Sequence, residues 1–238
     1  MQVASNDGAA LVDELTEAIR QRIMSGEYPV GAALRQSDLA AQFGTSRTPV
    51  REALRQLQSS GLIQILPNRG AMVRIPAPWE VRDLYEVRAE LEALAARRAA
   101  TRLTKADFDR MRHSNDALFE LTLRLADEPT ADGHTDMVEE ANQLGLHVVI
   151  NEAAGNAQLS RLLGNLSSAF PSNVPAMLLV ENARHRENNH DEHARIIDAL
   201  EAGDGALAAE LMRAHVRNTG EQIARWYEQR SQTVLLAP

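Results

Sequence analysis

Residues 45–54 read Thr-Ser-Arg-Thr-Pro-Val-Arg-Glu-Ala-Leu, and this stretch decides the fold of the first part of the chain. Pro49 lacks an amide hydrogen and suits the first turn of a helix, so it predicts a helix start at Ser46 or Arg47. An amphipathic segment at 37–43 precedes the stretch, and β-rich runs around a Pro-Asn-Arg-Gly turn follow it. The order helix, turn, helix, hairpin predicts a winged helix-turn-helix.

Apolar spacing places the other elements of this part. Four residues recur at helical spacing and predict a first helix over 9–24: Leu11, Leu15, Ile19 and Ile23. Ser37 can cap the second helix, and Gly44 can close it. The pattern further predicts a linker turn at 31–34, a second helix over 37–43 and a third helix over 47–59. It also predicts a hairpin with strands at 62–66 and 71–75.

The third helix carries arginines on one face. Arg47, Arg51 and Arg55 lie four residues apart, and the apolar face can pack on the second helix through Val50, Leu54, Leu57, Leu39 and Phe43. The planar fork of arginine can bond guanine O6 and N7 together, so this face suits the major groove of DNA. The alternative is a solvated face on which Arg47 or Arg51 pairs with Glu52 or Asp38.

Polar groups flank the arginine face. The hydroxyls of Ser46 and Thr48 suit phosphate oxygens, which fix register and carry no sequence information. Arg69 and Gly70 stand at the tip of the predicted hairpin, where they can reach the DNA backbone or the minor groove. These six positions form the predicted DNA-binding set: Ser46, Arg47, Thr48, Arg51, Arg69 and Gly70.

Charge and composition divide the chain in two. The 238 residues carry a net charge of −8, which by itself argues against nucleic acid. Residues 1–76 contain eight Arg and seven acidic residues, so this part has a net charge of +1 and the remaining 162 residues carry −9. No cysteine is present, which excludes disulfides and thiolate metal sites. No run suits a membrane span or a signal peptide, so we expect a cytoplasmic protein without a membrane partner.

The acidic part reads as helical throughout. The predicted helices cover 79–101, 104–127, 135–154, 156–180, 186–202 and 204–230. Pro171 and Pro175 should kink or interrupt the fourth of them. Gly155-Asn156 and Gly203-Asp204 each join a helix-ending glycine to an N-cap residue, so two pairs of helices should meet through minimal turns. We expect a loose tail at 231–238.

Three histidines of the helical part could meet in its core. His193 and His215 lie ten residues before and twelve residues after Gly203, so on antiparallel helices their imidazoles stand level. His147 is a third, on another helix, with Gln143 one turn before it. Three neutral imidazoles suit Zn²⁺ or a similar divalent ion, or they could hydrogen-bond an organic anion directly. His185 and His190 lie in a charged stretch and should be solvated.

The first part resembles the winged-helix domain of the GntR family of bacterial transcription regulators. The resemblance covers residues 11–75 and rests on Ile23-x-x-Gly26, Gly31-x-x-Leu34, residues 45–54, Gly61-Leu62-Ile63 and Arg69-Gly70-Ala71-x-Val73. It implies DNA contact by Ser46, Arg47, Thr48 and Arg51, with Arg69 and Gly70 in the wing.

Residues 79–228 resemble the FCD effector domain of the FadR subfamily. The supporting motifs are Arg88-x-x-Leu91-Glu92, His147-x-x-Ile150, Glu192-His193-x-x-Ile196 and Met212-x-x-His215. The resemblance implies a metal held by His147, His193 and His215 together with the residue four before His147. That residue is Gln143 here, whereas the family has Asp or Asn. The resemblance also implies that Arg88 meets a carboxylate effector. The alternative for Arg88 is an intrahelical pair with Glu92.

The sequence therefore predicts a mostly α protein with two domains. Residues 8–76 would form a winged helix-turn-helix with a small β-hairpin, and residues 79–230 an all-helical antiparallel bundle for effector binding and dimerisation. The predicted function is a homodimeric, ligand-responsive repressor, not an enzyme, that binds a double-stranded operator and is released by a small carboxylate. Two alternatives remain: a metal-dependent enzyme that uses the three histidines, and an architectural DNA-binding protein without a ligand.

Overall fold

The computed structural model describes residues 6–66, 70–127, 137–138, 141, 145–167, 169 and 173–235. The chain divides into two compact units, and the second begins at Pro76. The elements of the first unit are α1 (Asn6–Met24), β1 (Ala33–Leu34), α2 (Gln36–Gln42), α3 (Arg47–Ser59), β2 (Ile63–Leu66) and β3 (Gly70–Val73).

The core of the first unit lies where α1, α2 and α3 meet the sheet. Its buried residues include most of the predicted apolar faces of α1 and α3, namely Leu15, Ile19, Ile23, Val50, Leu54 and Leu57, whereas Leu11 at the start of the α1 face is exposed. Leu39 of α2 is buried in the same cluster, and Phe43 packs against it. Burial of the apolar face of α3 leaves its polar face outside, because apolar burial is the term that fixes an amphipathic helix on its unit.

The sheet contains one strand more than the sequence predicts. Its order is β1-β3-β2, with β3 antiparallel to both neighbours. The linker turn predicted at 31–34 is wrong in its second half, since Ala33 pairs with Met72 and Leu34 with Ala71. A two-residue strand is too short for period-two alternation to reveal, so pairing with β3 decides it.

The second unit is helical in all its described elements. They are α4 (Pro78–Ala99), α5 (Lys105–Asp127), α6 (Leu146–Ala153), α7 (Ala157–Ser167), α8 (Asn173–Glu181), α9 (Ala183–Glu201) and α10 (Gly205–Leu235). Together with the small sheet of the first unit, they confirm the predicted fold class. None of the described helices combines the length and the apolarity that crossing a bilayer would require.

Helix α4 packs closely on α10. A Cβ added at Gly220 of α10 would lie 2.4 Å from Cβ of Tyr85, so the glycine lets the two backbones approach. Arg82 Nε donates to Glu221 at 2.8 Å, and Arg82 Nη2 donates to Glu228 at 2.9 Å. Packing of α4 on α10 places Tyr85 and the following turns of α4 in the core of the unit.

Both glycine-to-cap turns form as predicted. Gly203 adopts φ +74°, and the next residue, Asp204, accepts a hydrogen bond from Leu207 N through Oδ1 at 2.9 Å. Gly155 adopts φ +60°, and Asn156 accepts from Leu159 N at 3.2 Å. The first of these turns places α9 and α10 side by side, which brings residues equally distant from Gly203 to the same level.

Several predicted boundaries are wrong. The helix predicted over 135–154 is interrupted, because Gly145 is extended (φ −90°, ψ −160°) and α6 starts after it. The helix predicted over 156–180 is interrupted, as its prolines predict: α7 ends at Ser167, and α8 starts at Asn173 with Pro175 in its first turn. Ser37 is not the cap of α2, since Arg35 occupies the N-cap position. The tail predicted from 231 is helical to Leu235.

Candidate DNA-reading surface and histidine site

Helix α3 begins at Arg47, as Pro49 predicts, with Ser46 as its N-cap residue. Ser46, Arg47 and Thr48 are all exposed. The exposed first turn of a helix presents free backbone N–H groups and the positive end of the helix dipole, both of which favour a phosphate. Three residues with polar side chains therefore surround a backbone site that suits an anion.

The arginine face of α3 points to solvent. Arg51 is 52% exposed and its Nε lies 3.4 Å from Glu52 Oε1, while Arg55 is 62% exposed and its Nη1 lies 3.3 Å from the same oxygen. Among the described residues, Arg47 has no ion-pair partner. The pairing that the sequence left open thus occurs, but exposed ion pairs of this kind contribute only ~0–1 kcal/mol and do not prevent contact with DNA.

The wing is described only in part. Gly70 opens β3, pairs with Leu66 and adopts φ +77° with nothing within 4 Å of an added Cβ. The positive φ explains a glycine here, because residues with a Cβ rarely adopt it. Arg69 lies outside the described residues.

Three histidines of the second unit meet in its core. His193 on α9 and His215 on α10 are each 3% exposed, and their Nε2 atoms are 3.2 Å apart. His147 on α6 joins them, and one ring nitrogen from each of the three lies within 4.8 Å of the others. The structure therefore brings together the three histidines that the sequence predicted to converge. Gln143 lies outside the described residues.

Each imidazole is backed by an oxygen. Nδ1 of His147 contacts Glu92 Oε2, Nδ1 of His215 lies 2.7 Å from Glu192 Oε2, and Nδ1 of His193 lies 3.1 Å from Asn115 Oδ1. A carboxylate accepts hydrogen bonds, so the first two Nδ1 atoms must donate. Nδ2 of Asn115 donates to the His190 carbonyl at 3.0 Å, which turns its Oδ1 toward the third imidazole.

This backing leaves the Nε2 lone pairs free. When both imidazoles are neutral with the proton on Nδ1, the Nε2 lone pairs of His193 and His215 face each other across 3.2 Å, and a cation between them would remove the repulsion. Tetrahedral zinc with nitrogen ligands at ~2.0–2.1 Å would separate its ligand atoms by roughly 3.3 Å. Imidazoles whose other nitrogen donates to an oxygen are also the usual metal-binding arrangement. The residues therefore fit a divalent metal.

Burial keeps two of the imidazoles neutral. It lowers the pKa of His193 well below its usual value, and the neighbouring His215 and His147 lower it further. Burial also lowers the pKa of His215, although its hydrogen bond to Glu192 acts in the opposite direction. Neutral imidazoles are the form that binds a metal ion, so the pKa shifts favour ligation near pH 7.

Arg88 forms the intrahelical pair that the sequence left open. Its Nε donates to Glu92 Oε1 at 2.6 Å, and its guanidinium lies 5.2 Å from the ring centre of Tyr85. Burial disfavours the charged form of Glu92, but Arg88 and His147 outweigh it and hold the pKa of this carboxyl well below its usual range. Arg88, Glu92 and His147 thus form one chain of charged and polar contacts.

Sequence reasoning missed most of the residues behind the histidines. Glu92 was identified only as a partner of Arg88, and neither Asn115 nor Glu192 was assigned a contact with an imidazole. His185 was predicted to be solvated, but it is only 7% exposed. One signal for it existed, since His185 lies eight residues, about two helical turns, before the buried His193. His190, in contrast, is partly exposed and lies 2.9 Å from Asp116.

Comparison with protein families matches both units. Residues 11–73 match the model of "Bacterial regulatory proteins, gntR family", and residues 83–218, more than half of the chain, match the FCD domain. The chain belongs to the gntR family. The gntR match covers the winged helix-turn-helix, and the FCD match covers all three clustered histidines.

The gntR regulator has relatives of similar length. It is 31% identical over 206 residues to the probable D-xylose utilization operon transcriptional repressor of Paenarthrobacter nicotinovorans. The aligned region covers 87% of this chain and 85% of that relative. It is 30% identical to the HTH-type transcriptional regulator LutR of Bacillus subtilis (strain 168). The aligned region covers 88% of this chain and 100% of LutR.

Solved structures share the fold. E. coli McbR/YncC matches with a TM-score of 0.63 and 23% identity over 92% of this chain and 98% of that chain. A putative transcriptional regulator GntR from Rhodococcus sp. RHA1 matches with a TM-score of 0.64 and 23% identity over 89% of this chain and 96% of that chain. At these identities the likeness concerns the fold alone.

The family membership decides the class of function. This gntR regulator is a DNA-binding transcription regulator with an FCD effector domain. Its relatives are transcription regulators and not enzymes, so the metal-dependent enzyme that the sequence left open is not supported. The architectural protein without a ligand is not supported either, because the matched second domain is an effector domain.

Proposed function

We propose that this regulator is a cytoplasmic repressor that binds a palindromic operator as a homodimer and is released by a small carboxylate. The observation that carries the proposal is the cluster of three imidazoles in the effector domain. Their Nδ1 atoms contact oxygens, and one ring nitrogen from each of the three lies within 4.8 Å of the others. Such a cluster is a buried group of converging polar side chains, which is a character that ligand sites share.

DNA reading is assigned to the exposed face and first turn of α3. Arg47 and Arg51 would contact base edges, and Ser46 and Thr48 would contact phosphates. Arg69 and Gly70 of the wing would contact the backbone or minor groove. The exposure of Ser46, Arg47, Thr48 and Arg51 supports this assignment, since each can reach a partner without any rearrangement of the core.

A divalent metal is assigned to His147, His193 and His215, with Gln143 as the fourth candidate ligand. Bound there, the ion would supply positive charge and an open coordination position for an oxygen ligand. Gln143 is neutral, so the net positive charge of a loaded site would be larger than in members of the family that have Asp at this position. That charge favours an anionic effector over a neutral one.

A carboxylate effector would also meet Arg88. The Nε of Arg88 is used by Glu92, but a guanidinium has five N–H donors and can serve two carboxylates together. The side chain of Arg88 is 20% exposed, which leaves it accessible from one side. Arg88 and the metal would therefore attract the same negatively charged ligand.

A homodimer follows from the way such regulators read DNA. Two reading heads related by a two-fold axis require two half-sites related by the same axis. The effector domain has apolar side chains available for self-association, since Val87 and Leu94 lie seven residues apart on α4 and are 52% and 43% exposed. Ligand binding would favour a dimer geometry in which the head spacing no longer fits the operator.

The experiment is operator binding under a panel of carboxylates. The full-length regulator is bound to labelled DNA from the upstream intergenic region, and mono-, di- and hydroxycarboxylates are added with and without Zn²⁺. We expect at least one carboxylate to release the DNA, and the release to be lost in His193→Ala and in Arg88→Ala. A panel without effect, or release that is unchanged in both variants, would contradict the proposal.

A further inference from the structure

The FCD motif Arg88-x-x-Leu91-Glu92 contains a buried carboxylate that links Arg88 to the three clustered histidines. Glu92 is 3% exposed and is shared between two partners. Its Oε1 accepts from Arg88 Nε at 2.6 Å, and its Oε2 contacts Nδ1 of His147. Glu92 therefore connects the guanidinium of Arg88 to the imidazole of His147, with one carboxylate oxygen on each.

We propose that Glu92, held by Arg88, is a positioning residue that fixes His147 in the tautomer whose Nε2 lone pair faces the other two histidines. The expected effect on metal binding rests on the proposed metal site, whereas the tautomer of His147 can be measured without a metal. Arg88 only donates hydrogen bonds, so it takes one oxygen of Glu92. The other oxygen can only accept, which forces the proton of His147 onto Nδ1 and leaves Nε2 free.

The three imidazoles are held in different ways. His193 is backed by the amide oxygen of Asn115, and His215 by Glu192, which also accepts from Asn218 Nδ2 at 3.0 Å. Among the described residues, the oxygen that contacts His147 is the only one of the three whose side chain also binds a guanidinium. The tautomer of His147 therefore depends on Arg88 of α4, which acts on it through Glu92.

Substitution of Glu92 by glutamine tests this dependence with almost no change of shape. Arg88 can only donate, so it will select the single amide oxygen of the new side chain. The amide NH₂ then faces Nδ1 of His147, which must become an acceptor, and the imidazole proton moves to Nε2. A proton on Nε2 blocks ligation, so Glu92→Gln should invert the tautomer and weaken metal binding.

Removal of Arg88 from the same variant should reverse the effect. In Arg88→Met with Glu92→Gln no guanidinium competes for the amide oxygen. The amide can then turn and accept from Nδ1 of His147, as Glu92 does in the native chain. A role of Glu92 in packing alone predicts no such rescue, because the second substitution removes a further buried interaction.

The measurement uses the full-length, EDTA-treated regulator labelled with ¹⁵N. Long-range ¹H–¹⁵N spectra at pH 8 report the tautomer of each histidine, and His147→Gln identifies the signals of His147. We expect Nδ1–H in the native chain, Nε2–H in Glu92→Gln, and Nδ1–H again in the double variant. An unchanged tautomer in a folded Glu92→Gln, or a double variant that stays inverted, overturns the inference.

Zinc titration of the same proteins gives the consequence. We expect Glu92→Gln to bind Zn²⁺ ~10–100-fold more weakly than the native chain, and the double variant to recover part of the loss. Glu90→Gln is the matched control, since Glu90 lies on the same helix, is 51% exposed and pairs with Arg213 at 2.8 Å. A native chain that does not bind Zn²⁺ but shows the tautomer change refutes the metal site and leaves the role of Glu92 supported.

Discussion

Substitution of Gly220 by alanine tests the close packing of α4 on α10 that positions Tyr85 and Arg88. Gly220 lies within α10, and an added Cβ would lie 2.4 Å from Cβ, 2.6 Å from Cγ and 3.0 Å from Cδ1 of Tyr85. Cβ and Cγ of a buried aromatic residue cannot turn away without moving the backbone or the ring. The substitution must therefore separate the two helices or displace Tyr85.

Two opposing terms decide the size of the effect. Alanine is more favourable than glycine within a helix by about 0.8–1 kcal/mol. Overpacking of a well-packed core costs about 1–3 kcal/mol, and three contacts at or below 3.0 Å argue for the upper part of that range. The net expectation is a destabilisation of about 1–2 kcal/mol.

Urea unfolding followed by tryptophan fluorescence measures this change in the full-length protein. Both tryptophans, Trp79 and Trp226, lie in the second unit, so the signal reports that unit. With a slope of ~1–3 kcal/mol per M urea, the midpoint should fall by roughly 0.3–2 M. Gly164→Ala is the control, because this helical glycine has nothing within 4 Å of an added Cβ and should gain stability. A Gly220→Ala variant as stable as that control would refute the packing.

Two further predictions use the same unfolding assay. Arg186 is 6% exposed, and its Nη1 donates at 2.9 Å and 3.1 Å to the carbonyls of Leu179 and Val180 at the end of α8. Arg186→Met should therefore lower the free energy of unfolding by about 1–3 kcal/mol. An unchanged midpoint would show that these bonds contribute nothing. In the EDTA-treated protein, stability should fall as the pH is lowered from 7 to 5, because the folded-state pKa values of His193 and His215 are lowered below the unfolded value of ~6.5 and the unfolded chain then binds more protons. A midpoint independent of pH over this window would contradict the neutral, buried state of the two imidazoles.

Local signals in the sequence predicted the parts of the fold that local chemistry decides. Pro49 placed the start of α3 because its missing N–H suits the first helical turn. The pair Gly203-Asp204 placed the turn between α9 and α10, and the level of His193 and His215 followed from the length of the two helices. These inferences needed no knowledge of distant contacts.

Other features depend on contacts between residues far apart in the chain. Glu92 and His147 are 55 positions apart, and no periodicity indicates that one carboxylate serves both the imidazole and Arg88. The break at Gly145 also escaped prediction, because the apolar pattern around it suited one continuous helix. Tertiary packing decides such cases over local propensity.

DNA binding by a variant without Arg47 and Arg51 tests the central claim most directly. The affinity of the full-length regulator for upstream intergenic DNA is measured by fluorescence anisotropy, against Arg97→Ala with Arg124→Ala as a control of equal charge change on exposed positions of the second unit. Loss of one bidentate base contact costs ~1–3 kcal/mol, so the α3 variant should lose at least tenfold in affinity and lose its preference for the specific sequence. Equal affinity and unchanged sequence preference of the two double variants would contradict the account.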